Sequence, residues 1–259
     1  MNEENKSIHD FDFNLICEYF SGMERQGPGS VETTLRALSF IDNLPPDARI
    51  ADIGCGTGTQ TITLAQNTKG HITAMDLFPQ FIDILNNNVK KLHLEDRFST
   101  VVGDMCSPLP FCENELDLIW SEGAIYNIGF EKGMNEWKKY IKPGGYIAVS
   151  EGTWFTPTRP KEIEDFWMMN YPEIDTISNK IAVMENAGYL PMAAFILPES
   201  CWLEDFYVPH KKASEEFLEK YRDNKMAQEL VASQQHEQRL YNKYKSYYGY
   251  VFYIGKKIG

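Results

Sequence analysis

Short apolar runs alternate with stretches of helical spacing through the middle of the chain. "RIADIG", from Arg49, reads as a short buried strand. "TQTITLAQNT" after it has helical spacing, with Ile62 and Ala65 three apart. "HITAMDL" is a second strand, and "PQFIDILNNNVKKLHL" is a helix with proline in its first turn. "FSTVVGD" and "ELDLIWSEG" supply a third and a fourth strand. "FEKGMNEWKKYIKPGG" reads as a helix closed by Pro143, Gly144 and Gly145, and "YIAVSEGTWF" as a fifth strand. Buried strands separated by helices pack as a parallel sheet with right-handed crossovers. The pattern therefore predicts a doubly wound α/β core over residues 49–155.

The flanks read differently. Residues 1–48 form a helical lead-in, "DFNLICEYFSGM" and "SVETTLRALSFIDNL", divided by the loop "RQGPGS". Past residue 155 the regular alternation stops. "RPKEIEDFWMMNYPEI" and "TISNKIAVMENAGY" read as helices and "LPMAAFILP" as a strand. A long helical stretch then runs from Cys201 to Tyr248, and "GYVFYIGKKI" (residues 249–258) closes the chain as a strand. With no internal repeat and no linker, the expectation is one domain over residues 1–259 with a mostly parallel, seven-stranded sheet. Residues 156–248 would be lid insertions around one strand, placed before the last one.

Composition narrows the function. Apolar residues make up 43% of the chain, enough for a real core. There are 25 Lys and Arg against 37 Asp and Glu, a net charge of −12. Such a surface repels phosphate backbones, so no nucleic-acid partner is expected. Five cysteines, an odd number with no CxxC pair, suggest reduced thiols and neither a disulfide framework nor a metal site. The polar start "MNEENKSIHD" does not read as a signal peptide, and no apolar run approaches a membrane span. The expectation is a cytoplasmic protein without stable membrane insertion, as a monomer or a homodimer.

The densest chemical signal is "ADIGCGTG" at 51–58. Glycines weaken strands and helices, so Gly54, Gly56 and Gly58 directly after a strand imply a tight turn and close approach of backbone to a ligand. A dinucleotide fingerprint would need a third glycine where Thr59 stands. Asp52, two residues before the first glycine, would repel a pyrophosphate and suits a ligand with a cationic amine. Asp76 ends the second strand twenty residues beyond Gly56, the spacing of an acid that takes ribose hydroxyls. Asp104 and Met105 end the third strand, where a carboxylate and an amide could meet an adenine edge. Leu77 and Met105 could sandwich the ring.

Together these strand ends describe an adenosine with an amino-acid tail. With "AMDL" (74–77), "GDMCSPLPF" (103–111), "LDLIWSEGAIYNIG" (116–129) and "YIKPGGYIAVSE" (140–151), the chain resembles the class I S-adenosylmethionine-dependent methyltransferases. The nearest likeness is to the small-molecule group that includes the ubiquinone/menaquinone-biosynthesis C-methyltransferases. The resemblance implies a Rossmann-like fold, S-adenosyl-L-methionine as cofactor and a small-molecule acceptor. It also places the loop after the fourth strand under the methionine moiety, which makes Ser121 and Glu122 contact candidates. Glu122, Tyr126 and His210 are the candidates for chemistry, although methyl transfer from a sulfonium needs positioning more than a general base. Gly29 and Arg25 of "RQGPGS" could meet the methionine carboxylate, and Tyr19 or Phe20 could close the site from above. Residues 1–30 are expected to order over the cofactor. The aromatic- and methionine-rich lid, Trp154, Phe155, Trp167, Met168, Met169, Tyr171, Trp202, Phe206 and Tyr207, would shape the acceptor pocket. Two alternatives stay open: another transferase using the same cofactor site (aminopropyl or carboxymethyl), and a non-catalytic binding regulator.

Overall fold

The computed structural model describes residues 8–259. Its seven strands are β1 (Arg49–Ile53), β2 (His71–Asp76), β3 (Phe98–Val102), β4 (Leu116–Glu122), β5 (Ile141–Trp154), β6 (Tyr189–Ile196) and β7 (Tyr248–Lys257). They form one sheet in the order β3-β2-β1-β4-β5-β7-β6. Strands β1 to β5 pair in parallel, whereas β7 runs antiparallel to both β5 and β6. Strand β1 lies between β2 and β4, so the chain leaves β1 and β4 in opposite directions. A crevice opens there at the C-terminal strand ends.

The pleat explains the unbroken apolar runs. Ile50, Leu118, Trp120 and Ala148 point into the core on one face, while Ala51, Ile119, Ile147 and Val149 fill the other. Both faces are covered, so neither set can be polar. The covering helices are α1 (Phe13–Ser21), α2 (Val31–Leu38), α3 (Thr59–Asn67), α4 (Pro79–Lys91), α5 (Phe130–Trp137), α6 (Lys161–Asn170), α7 (Ile177–Asn186), α8 (Ser200–Trp202), α9 (Val208–Lys220) and α10 (Lys225–Tyr244). Their starts are chemically marked. Asp12 accepts from the Asn14 and Leu15 N–H groups (2.9 and 3.1 Å) to cap α1. Ser30 and Thr33 form a reciprocal capping box on α2.

Two details depart from the sequence pattern. Pro143, Gly144 and Gly145 do not close a helix. Helix α5 ends at Trp137, a 3₁₀ turn follows, and the three residues lie inside β5, where Gly144 takes φ +79° beside a register shift against β4. The long helical stretch is also divided. Helix α8 runs through a π-helical turn (Leu203–Tyr207) into α9, and α10 starts afresh under Asn224, whose side chain accepts from the Ala227 N–H (3.1 Å). The lead-in packs against the helices that precede the last strand. Leu15, Tyr19 and Met23 of the lead-in pack with Phe217, Leu230 and Val231 of α9 and α10. Phe13 stacks on Phe78 at 4.2 Å, which seats the start of α1 against α4. No helix among the described residues is long and apolar enough to cross a membrane.

Candidate active site

A cavity of about 410 Å³ lies over the ends of β1, β2, β3 and β4. That is within the range of roughly 300–1,000 Å³ for small-molecule sites. Gly54, Gly56, Asp76, Leu77, Asp104, Met105, Glu122 and Tyr126 all line it. At Gly54 (φ +73°) a side chain would collide with Ala124 and Met105, and at Gly56 (φ +56°) with Gln26. The backbone is bare there because nothing else fits.

Asp76 forms the polar centre of this cavity. Its Oδ2 accepts from the Gly56 N–H (2.8 Å) and its Oδ1 from the Phe78 N–H (3.0 Å). Burial pushes its carboxyl up, and the backbone bonds pull the other way. Each oxygen keeps a lone pair for a further donor. Asp104 is exposed and accepts from the Cys106 N–H (2.8 Å). Glu122 is engaged on several sides: Arg25 Nη1 donates to Oε2 (3.1 Å), while Thr34 Oγ1 (2.6 Å) and Trp120 Nε1 (3.0 Å) donate to Oε1. Arg25 lines the cavity too, and its buried Nη2 has no hydrogen-bond partner.

The lead-in crosses the cavity and is latched to the glycine loop. The Thr57 N–H donates to Gln26 Oε1 (2.9 Å), and Gln26 Nε2 donates to the Met23 carbonyl (2.9 Å) and to Thr57 Oγ1 (3.1 Å). Thr59 Oγ1 donates to the Glu24 carbonyl (2.5 Å). Phe20 lines the cavity, but Tyr19 does not. It is buried against α9, where its hydroxyl pairs with Ser214 Oγ (2.8 Å). Residues 1–7 of the expected lid lie outside the described residues.

Several sequence candidates sit elsewhere. Asp52 is wholly buried beneath the loop and accepts from Thr61 Oγ1 (2.6 Å), so it fixes α3 to β1 and does not reach the cavity. Burial, opposed by the Thr61 bond, pushes its carboxyl up to about 7. Gly58 faces Leu85 of α4. Ser121 is buried and donates to the Ile53 carbonyl (2.8 Å), tying β4 to β1. Gly29 packs on Arg25 and Glu122, behind the wall formed by Gly27 and Pro28. His210 is buried among Tyr19, Phe20 and Phe206, with its ring 4.1 Å from that of Phe206. Burial pushes it down to about 4. It lines neither this cavity nor the one beside it.

A second chamber of about 120 Å³ adjoins the first, sharing Phe20, Gln26 and Tyr126 as walls. Phe166, Trp167, Tyr171, Phe206 and Tyr250 also face it. Of the aromatic lid expected from sequence, Trp167, Tyr171 and Phe206 are there. Trp154, Trp202 and Tyr207 are core, and Met168 and Met169 are exposed. Phe155 packs at Gly249. Tyr171 is anchored from behind by a buried pair: Lys180 Nζ lies 2.5 Å from Glu151 Oε1, and the Tyr171 hydroxyl donates to Glu151 Oε2 (2.7 Å). Sequence reading passed over two residues. Gln26 lies in the loop "RQGPGS", where its residue type carries no signal of its own. Glu237 lines the second chamber from α10, on the stripe that Leu230, Leu240 and Tyr241 share. An acid one turn before the buried Leu240 and Tyr241 is the available signal.

Comparison with known proteins agrees with this geometry. Residues 50–145 match a family model described as "Methyltransferase domain". A phosphoethanolamine N-methyltransferase of Triticum aestivum is 24% identical over 183 residues, 70% of this chain and 35% of that protein. A sterol 24-C-methyltransferase of Kluyveromyces lactis is 33% identical over 115 residues, 44% of this chain and 31% of its own length. The chain thus spans about a third of the length of the relatives it matches. In structure, a methyltransferase from Geobacter sulfurreducens, solved with S-adenosyl-L-homocysteine, superposes with a TM-score of 0.81 at 18% identity. That match covers 95% of this chain and 98% of the other. Residues 50–145 are thus similar to a methyltransferase domain, and the chain has the fold of the S-adenosylmethionine-dependent methyltransferases.

Proposed function

We propose that the protein is an S-adenosylmethionine-dependent methyltransferase for a small-molecule acceptor. The observation that carries this reading is Asp76, tied to the Gly56 N–H at the centre of a cavity that has Arg25 at one side. The residues present fit such a cofactor: Arg25 Nη2 lacks a partner, and a side chain at Gly54 would meet Ala124 and Met105 across the cavity floor. Asp76 would take the ribose hydroxyls, Leu77 and Met105 would face the adenine, and Arg25 would meet the methionine carboxylate. When bound, the cofactor supplies an activated methyl group on a sulfonium with a neutral thioether leaving group. The protein therefore has no departing anion to stabilise. Its work is to hold the acceptor in line and keep water out, with Phe20 and Tyr126 between the two cavities.

Calorimetry tests the cofactor reading directly. S-adenosylhomocysteine should bind at micromolar affinity, roughly −8 kcal/mol, and tighter binding of NAD would overturn the reading. Incubation with labelled S-adenosylmethionine and a metabolite extract, read by mass spectrometry, should yield a methylated small molecule. The free cysteines support a cytoplasmic protein and the net charge of −12 one without a nucleic-acid partner. We take residues 1–259 as one functional unit.

A further inference from the structure

The second chamber holds an acid with nothing to answer it. Among the described residues no hydrogen-bond donor and no cation reaches Glu237, and no Lys, Arg or His lines the chamber. Its surroundings are mostly aromatic: Phe20, Phe166, Trp167, Tyr171 and Phe206 face the same space, and the polar residues there, Gln26, Asn170, Ser233 and Gln234, carry no charge. The titratable groups that sense Glu237 are phenols, namely Tyr19, Tyr126, Tyr207, Tyr248 and Tyr250, each pushed up by burial and therefore uncharged. His236, beside it on α10, is turned to the Phe166 ring at 5.9 Å. Burial alone pushes the Glu237 carboxyl up to about 7. An ionised carboxylate in such a place is costly unless a cation joins it, and aromatic faces favour the same cation.

We infer that this chamber receives the methyl acceptor as a small amine, its ammonium paired with Glu237 inside the aromatic wall. The acceptor role rests on the methyltransferase reading above, whereas the ion pairing does not. The chemistry balances. An ammonium N–H proton passes to a Glu237 carboxylate oxygen, and the nitrogen recovers its lone pair. That pair forms the N–C bond as the methyl donor's S–C bond breaks, with its electrons left on sulfur. An N-methylammonium, a neutral thioether and a protonated Glu237 result. The chamber also sets a limit: it offers no cation to a phosphate or carboxylate, so the acceptor carries no anionic group close to its nitrogen.

Three probes of one shape test this: benzylamine, benzyl alcohol and benzoate, titrated into the full chain with and without saturating S-adenosylhomocysteine. Wild type should bind benzylamine at least tenfold more tightly than benzyl alcohol and should not bind benzoate. Glu237→Gln should erase the amine preference while binding S-adenosylhomocysteine with wild-type affinity. Failure of benzylamine to bind, equal or tighter binding of the alcohol or benzoate, or an amine preference that survives Glu237→Gln would each overturn the inference. If wild type does not bind S-adenosylhomocysteine but keeps the Glu237-dependent preference, the methyltransferase reading falls and the ammonium site stands.

Discussion

The two cavities share Phe20, Gln26 and Tyr126 but are made of different material. The larger one is floored by backbone turns at the ends of adjacent strands, under side chains such as Phe13, Phe20 and Phe81, and its central acid is already satisfied by the Gly56 and Phe78 N–H groups. The smaller one is walled by side chains drawn from residues as far apart as Phe20 and Tyr250, and its acid has no partner among the described residues. A pocket made from backbone needs particular residues at particular places, because only glycine tolerates the φ and the crowding. A pocket made from side chains places no such demand on its neighbours. On the methyltransferase reading proposed above, the first would hold one ligand through many changes of acceptor, and the second would be where acceptors are told apart.

The largest effect should separate the two. Lys180→Met removes the partner of a carboxylate that is wholly buried, with side-chain exposures of 3% and 0% for Lys180 and Glu151. It should cost about 3–5 kcal/mol in urea unfolding. Because the pair anchors Tyr171 and not the strand-end loops, folded variant should keep its S-adenosylhomocysteine affinity within about twofold, far below the tenfold that 1.4 kcal/mol represents. A large loss of that affinity would show the cavities to be one energetic unit.

Glu237→Gln should act with the opposite sign. Its carboxyl rises from an ordinary 4.5 to about 7 in the folded chain. The stabilisation by its proton is complete below about 4.5 and is lost as pH rises through 7. The glutamine variant should therefore match wild type near pH 4 and be more stable at pH 8 by up to about 3 kcal/mol. Equal thermal midpoints at pH 8 would mean that Glu237 meets water or a cation, and the contrast with Asp76 would disappear.

Asp76→Ala comes next, with a loss of at least tenfold in S-adenosylhomocysteine affinity, from charged hydrogen bonds of about 1.5–3 kcal/mol each. A folded variant with wild-type affinity would remove the ribose assignment. Gln26→Ala is the smallest, about 1 kcal/mol. It should speed hydrogen exchange over residues 13–26 and weaken binding several-fold. Unchanged exchange there would show that the lead-in is held by its helix packing alone.

The same division of material explains what the chain made legible. The succession of strands along the chain up to β5, the turn at Gly54 and Gly56, and the acid at the end of β2 all follow from backbone requirements that leave marks in sequence. Asp52, Gly58 and Ser121 belong to the same motifs, but the direction of a side chain near a tight turn is set by packing. Thr61, Leu85 and the Ile53 carbonyl claimed them. Pro143 to Gly145 looked like a helix stop because a strand with a register shift and a helix end use the same residues. His210 stood out as a rare residue type, yet its ring is simply packed against Phe206. Glu237 is one acid among many in a polar helix. Only the stripe through Leu230, Leu240 and Tyr241 marks it, and that stripe gains meaning once the helix has somewhere to lie.

The segment from Phe20 to Pro28 walls both cavities, and this has a consequence for turnover. On the methyltransferase reading, a lift of this segment would uncover both chambers in a single movement. The two products would then share one exit event, and the frequency of that opening would cap the number of cycles per second however fast the bond-making step becomes. Variants that loosen the Gln26–Thr57 latch would shift the balance from grip to throughput, with faster release obtained at the expense of shorter residence.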